Sequence, residues 1–251
     1  GFNAHVTVTP HDRPIHLKKL NNTNLKKISK EFIFSNSGEG IVISKYNTKG
    51  LVLRGYNSKD FFKLEVIKNG DLIGNSNKLS QNSISIGKEL SFNLDLEVGD
   101  RVSIMSSVGI ETIIGSLPKQ ETFIISSIFD SGVADFDANI VFINLNTLEN
   151  FFDLKKENRN LEIYLNNPSN ISEVKTQIQK IFNNEFVYTW ADMNNSLFSA
   201  LKVERNVMFI ILSLIIIVAA FNIVSGLTIL VKNKTRDIAI LKSIGVLNKS
   251  I

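Results

Sequence analysis

VMFIILSLIIIVAAFNIVSGLTILV, residues 207–231, runs for 25 positions without a charged side chain, and 17 of them are Val, Ile, Leu or Phe. A bilayer span needs about 20 such residues at about 1.5 Å each, so this stretch crosses with some tilt to spare. At roughly −0.3 to −0.6 kcal/mol apiece, its aliphatic and aromatic residues favour insertion by about 5–10 kcal/mol before polar groups are counted. The competing reading is a buried core helix, but core helices seldom run this far without a polar face. Asn222 is the one amide inside the span. In hydrocarbon it needs a partner, and Ser225 and Gly226 beside it permit close backbone approach by another helix.

The flanks set the orientation. Downstream lie Lys232, Lys234, Arg236, Lys242 and Lys249; upstream, the nearest cations are Lys202 and Arg205. The positive-inside rule puts the C-terminal end in the cytoplasm and residues 1–206 outside. The chain opens on Gly1 with no visible signal peptide, so a piece of a longer protein with an earlier membrane helix is expected.

The 251 residues are 43% hydrophobic and 21% charged, with a net charge of +4, which is ordinary globular composition. With no cysteine, disulfide scaffolds, thiolate metal sites, Fe–S clusters and cysteine nucleophiles are excluded.

Residues 1–206 read as mixed α and β. Ala4–Thr9 alternates as a half-buried strand does, and Leu17–Phe34 carries apolar residues near helical spacing. Ile41–Tyr46 and Leu51–Tyr56 flank Asn47-Thr48-Lys49-Gly50 as a hairpin. Lys88–Leu96 reads as a short helix, Val98–Ser106, Glu121–Phe129, Asn139–Asn144 and Leu161–Leu165 as strands, and Pro168–Phe182 as a helix. Glu185–Tyr188 is a last strand, and Ala191–Asn206 a helix leading into the span.

Motifs of enzyme chemistry are weak. Gly38-Glu39-Gly40 begins a GxG, but no third Gly follows, and a turn is the expected reading. Gly87-Lys88 resembles the end of a phosphate-binding loop, yet Asn82 stands where its first Gly should be and Glu89 replaces the hydroxyl residue. His5, His11 and His16 lack metal-ligand spacing, and Asp130, Asp135 and Asp137 read as an acidic loop rather than a Ca²⁺ site. The last stretch says more. In KNKTRDIAILKSIG (232–245), Ile238, Leu241 and Ile244 stand at i, i+3, i+6 with charges between them. Such a ridge lies on anionic lipid or seats in a groove of a partner.

At this point the residues carry a family resemblance. KVERNVMFIILSLIIIVAAFNIVSGLTILVKNKTRDIAILKSIG (202–245) resembles the second membrane helix and coupling helix of the lipoprotein-releasing ABC permeases of the LolC/LolE type. GFNAHVTV (1–8) resembles the segment that leaves their first membrane helix, and SIGKELSFNLDLEVGDRVSIMS (85–106) their G-x-x-L…L…GD-x-v motif. The R-D-I-A-I-L…G portion is shared with the wider MacB/FtsX-like permease superfamily; the KVERNVMF…AAFNI run narrows it.

The resemblance implies an α+β, MacB-like periplasmic core domain over residues 1–200, in two βα halves with a strand-rich insertion near 57–130. It implies a transmembrane helix with its periplasmic extension over 201–231, and a cytoplasmic coupling helix with the start of the next segment over 232–251. The whole would be a non-catalytic permease subunit of the bacterial inner membrane, with residues 1–206 periplasmic and the C-terminal end cytoplasmic. It would bind no cofactor, leaving ATP to a cytosolic ABC ATPase subunit. Its other partners would be a second permease subunit (itself or a paralogue), a periplasmic lipoprotein carrier, lipoprotein cargo and membrane lipids, with no nucleic acid. By the same resemblance, Arg236, Asp237, Ile238, Leu241, Ile244 and Gly245 would meet the ATPase. Met208, Phe221 and Asn222 would border the lipoprotein cavity. The loop Ser106–Gln120 would hook the carrier through Ile110, Ile113, Ile114 and Pro118. Within the superfamily the alternatives are a MacB-type efflux permease and an FtsX-like regulator of cell-wall hydrolysis. A membrane-anchored sensor would lead from its span into a HAMP or kinase segment, which R-D-I-A-I-L-K-S-I-G is not.

Overall fold

The computed structural model describes residues 3–44, 47–74, 79–112, 115–168 and 171–245. The chain divides into two units, Gly1–Met193 and Asn194–Ile251.

In the first unit, β1 (Val6–Thr9) alternates buried and half-buried residues, as the sequence predicts. The helix expected over Leu17–Phe34 stops early. A 3-10 turn (Leu17–Asn21) leads to α1 (Thr23–Ile28), whose N-terminus is capped by the Asn22 side chain on the Asn24 and Leu25 amides. At Ser29 the chain becomes the 15-residue strand β2 (Ser29–Ile43). The helical spacing holds only through Ile28; Phe32-Ile33-Phe34 is a run of strand formers, and tertiary pairing takes it. Gly38-Glu39-Gly40 is likewise no turn but the middle of β2. A Cβ on Gly38 would stand 2.6 Å from the Phe152 ring, so the glycine serves close packing.

β3 (Thr48–Tyr56) returns antiparallel to β2, as expected of the hairpin. Then follow α2 (Ser58–Phe61), α3 (Glu65–Asn69), β4 (Asp71–Gly74), β5 (Ser83–Gly87), α4 (Lys88–Leu94), β6 (Arg101–Thr112) and β7 (Gly115–Asp130). The unit finishes with α5 (Ala134–Asn139), β8 (Ile140–Asn144), α6 (Leu145–Phe151), β9 (Asn160–Leu165), α7 (Ile171–Ile181), β10 (Phe186–Thr189) and α8 (Trp190–Met193).

The strands run β10-β1-β9-β2-β3-β8-β5-β7-β4, with β6 pairing both β2 and β7. That last pairing closes β2-β3-β8-β5-β7-β6 into a ring. All six strands turn alternate apolar residues to one shared core, among them Val42, Leu53, Ile84, Ile104, Phe123 and Val141, and α4 and α6 cover it with Leu90 and Phe151. Closure leaves these strands without a free edge over the length of the ring. A second core packs α2 and α3 on Tyr56, Phe129 and Phe142. A third packs α1 and α7 on β1, β9 and β10. The long strand β2 serves both lobes: its first half pairs with β9, its second with β3 and β6.

Among its described residues the second unit is a single helix, α9 (Asn195–Ser243), 49 residues long. At 1.5 Å per residue it measures about 73 Å, well beyond a bilayer's hydrocarbon core of about 30 Å. Its apolar side chains are exposed around its circumference, and it contains no buried residue.

Candidate functional site

Three places carry the residues singled out in the sequence. The first is the hairpin of β6 and β7. β2 accompanies β6 only over Ser103–Ser106, so beyond that point the two strands pair only with each other. The register slips between Met105 and Gly109, then resumes with Gly109↔Pro118, Ile110↔Leu117 and Thr112↔Gly115. A proline in a strand suits such a place, where a bulge has already interrupted the ladder. Segment 106–120, expected as a loop, is therefore two-stranded over most of its described residues. Ile113 and Ile114 lie outside the described residues. Pro118 is exposed, and its neighbour Leu117 is 53% exposed. The base of this hairpin is anchored: Lys119 Nζ donates to the Asn150 carbonyl at 2.5 Å and lies 6.0 Å from the centre of the Phe151 ring.

The second place is the apolar part of α9. Met208 (51% exposed) and Asn222 share one face about four turns apart, and Phe221 (69% exposed) stands about 100° round from Asn222. Two hydroxyls of this stretch are satisfied by their own helix: Ser213 donates to the Phe209 carbonyl and Thr228 to the Val224 carbonyl, both at 2.8 Å. Asn222 has no such bond among the described residues. Its amide is the span's strongest demand for a polar partner outside this helix.

The third place is the end of α9. No break separates span from ridge, so Arg236, Asp237, Ile238 and Leu241 lie on the helix that crosses the apolar stretch. Ile244 is 75% exposed, Leu241 is exposed and Ile238 half-buried. Gly245 has φ +94° and its amide donates to the Lys242 carbonyl at 3.1 Å, a glycine stop that ends the helix one turn past Leu241.

The residues of the weak motifs assemble no metal cluster among the described residues, although Asp130 and Asp137 meet at the Ser131–Gly132 turn. His5 Nδ1 accepts from the Leu165 amide at 2.9 Å, whereas His11 Nδ1 meets Asp12 at 2.7 Å. Asp130 pairs with Lys88 at 2.7 Å, Asp137 is buried and accepts from the Ser131 amide, and Asp135 holds Asn139. Burial pushes the Asp137 carboxyl above its ordinary range.

One cluster escaped sequence reading. Glu162 on β9 is 4% exposed and accepts from Ser35 Oγ at 2.6 Å, Tyr56 at 2.9 Å, Arg54 at 3.1 Å and Tyr164 at 3.1 Å. Arg54 also donates to Asn3 at 2.7 Å, so the network ties the start of the chain to β2, β3 and β9. Burial, added to by the Glu162 charge and opposed by Arg54, lifts the Tyr164 hydroxyl well above its ordinary range, and the same burial lifts Tyr56. The available signal was spacing: Arg54 and Tyr56, like Glu162 and Tyr164, stand at i, i+2 on one face of a strand. The network uses its charges on each other, which makes it structural.

No protein-family model matches the chain. It is 30% identical over 245 residues to the lipoprotein-releasing system transmembrane protein LolC of Buchnera aphidicola subsp. Acyrthosiphon pisum, covering 95% of this chain and 58% of that protein. It is 29% identical over 198 residues to LolC of Xylella fastidiosa, covering 78% of this chain and 48% of the other. The chain thus spans about half the length of the curated relatives it matches. Among solved structures, the periplasmic region of MacB from Actinobacillus actinomycetemcomitans aligns with a TM-score of 0.47 at 9% identity, over 76% of this chain and 91% of that one.

Proposed function

This chain belongs to the LolC/LolE family of permeases, and from that premise we propose that it is a non-catalytic membrane subunit of an ABC transporter that releases lipoproteins from the inner membrane to a periplasmic carrier. Residues 1–206 stand in the periplasm, α9 crosses the membrane, and residues 232–251 lie in the cytoplasm. A cytosolic ATPase subunit binds the ATP, and a second permease subunit completes the cavity.

The observation that carries the reading is the continuity of α9. A helix is stiff along its axis, so a displacement imposed on Ile238, Leu241 and Ile244 reaches Asn222 and Met208 without a joint to absorb it. ATP-driven movement of the ATPase subunits at the ridge is thereby converted into movement of the span. Phe221, Asn222 and Met208 border the cargo, and the carrier is met by Ile110, Ile113, Ile114 and Pro118 of segment 106–120. Arg236 and Asp237 flank the ridge, and Gly245 ends it.

The test is Leu241→Asp in the full-length protein, reconstituted with its ATPase subunit, partner permease, a lipoprotein and the carrier. A carboxylate entering an apolar groove loses hydration, at a cost of about 1–3 kcal/mol or more. Release should fall while ATP hydrolysis persists or the ATPase dissociates. Normal assembly together with normal release would show that the ridge is not the docking element.

A further inference from the structure

Helices α1 and α7 lie side by side over β1, β9 and β10, and between them runs a groove of about 440 Å³ that none of the sites above includes. Its two walls repeat the same chemistry in the same order. α1 supplies Asn24, Lys27 and Ile28; α7 supplies Gln177, Lys180 and Ile181. Both sets stand at i, i+3, i+4, within N-L-K-K-I and Q-I-Q-K-I, so each is a single stripe along its helix. The residue after each amide, Leu25 or Ile178, is fully buried and anchors its helix to the core below. Ile28 and Ile181 give the groove half-buried apolar surface, and each helix adds one exposed lysine to its lining.

Some of the cations near the groove are held in ion pairs, and these two are not. Lys19 is held by Glu185 at 2.7 Å, Lys175 by Asp192 at 2.9 Å and Lys30 by Glu65 at 3.6 Å. Lys27 and Lys180 make no ion pair among the described residues. Leu17–Lys30 contains five lysines and no acid. On α7 the acid closest along the stripe is Glu173, one turn before Gln177, so the positive potential is concentrated at the lysine end.

We propose that this groove docks an acidic, amphipathic polypeptide segment, which lays aliphatic side chains on Ile28 and Ile181 and sets a carboxylate against Lys27 and another against Lys180. Two cations without ion pairs, one on each helix that lines an apolar trough, are complementary to two anions beside an apolar stripe, the pattern of an acidic amphipathic helix. A bilayer surface fits less well. A planar headgroup layer reaches the lysines but leaves the recessed isoleucines uncovered.

The experiment uses the full chain in phosphatidylcholine nanodiscs and a fluorescein-labelled Glu/Leu amphipathic peptide, with binding read by anisotropy against empty nanodiscs. Lys27→Glu/Lys180→Glu should weaken binding by about tenfold or more, because two pairs are lost and two repulsions gained. Salt should weaken the wild-type affinity. The same double variant should then prefer a Lys/Leu peptide of identical pattern, a gain that also demonstrates a folded groove. Equal binding of the acidic peptide by wild type and variant overturns the proposal. So does a result in which phosphatidylserine vesicles, and not the peptide, are bound through these two lysines.

Discussion

Replacing Glu162 with alanine removes the one acceptor shared by Ser35, Tyr56, Arg54 and Tyr164. The arginine is the costly remnant. Its side chain is 16% exposed and, among the described residues, keeps one hydrogen bond, to Asn3, and its place over the Tyr56 ring. Stranding one member of a buried ion pair costs about 3–5 kcal/mol. The abandoned hydroxyls would add about 1 kcal/mol or more each if none could rearrange, but Arg54 has some access to water, so we take the lower part of the combined range, about 4 kcal/mol. That is a large share of the roughly 5–15 kcal/mol by which a domain is held folded. At about 2–4 °C per kcal/mol for a domain of this size, Tm should fall by about 8–16 °C. The assay is urea and thermal unfolding of residues 1–193, followed by circular dichroism. All three cores lie between Ala4 and Val187, so this polypeptide should unfold cooperatively by itself. Arg54→Met/Glu162→Leu should be less harmful than Glu162→Ala alone, since it removes both charges together. A loss below about 1 kcal/mol for Glu162→Ala, or a double variant worse than the single, would refute the account of a mutually dependent network.

Other consequences can be checked in the same polypeptide. The Asp192 carboxyl is held at about 2; burial raises it, but the Lys175 ammonium at 2.9 Å and the Thr189 amide and hydroxyl, both at 2.7 Å, outweigh that. A depressed carboxylate stabilises the fold above its unfolded value near 4 and loses that contribution as pH falls through about 2. Asp192→Asn should therefore lower the urea midpoint at neutral pH, with the gap to wild type closing toward pH 2. Gly38→Ala sets a methyl within 2.6–2.8 Å of the Phe152 ring and should cost about 1–3 kcal/mol by thermal melts. In a Phe152→Ala background the same change should cost much less. A further test bears on the proposed function and uses the full-length protein: photoreactive residues at 110, 113, 114 and 117 should label purified carrier more strongly than one at exposed Lys59, and equal labelling would remove segment 106–120 from carrier docking.

What could be read from the sequence follows what local pattern encodes. The long apolar helix and its charged continuation were legible because both are properties of a single helix, in which neighbours in sequence are neighbours in space. The β2–β3 hairpin and the alternation in β1 were legible for the same reason. The helix forecast over Leu17–Phe34 failed because apolar residues in the first half sit at helical spacing, while the second half obeys partners on β9 and β3 far along the chain. Gly38 was misread because its need for no side chain comes from Phe152, over a hundred residues away. The ring closure through β6 is encoded only in pairings at long separation. The Glu162 network was hidden because a charge on a buried strand face looks in sequence like a charge on an exposed one. The basic groove was invisible for a related reason: N-L-K-K-I and Q-I-Q-K-I become two walls only once the third core sets their helices side by side.

The pairing of β1 with β10 has a topological consequence. Val6 faces Thr189 across the ladder, and the Trp190 amide donates to the His5 carbonyl at 3.2 Å. The two strands that begin and end the first unit thus emerge next to each other, about 5 Å apart. Seen from that doorway, the unit is a closed excursion: a polypeptide leaves one point, builds a ring and two further cores, and comes back to where it started. Such a module can be spliced out and the cut sealed with a hairpin of a few residues, or cyclised through an equally short linker, without stretching what remains.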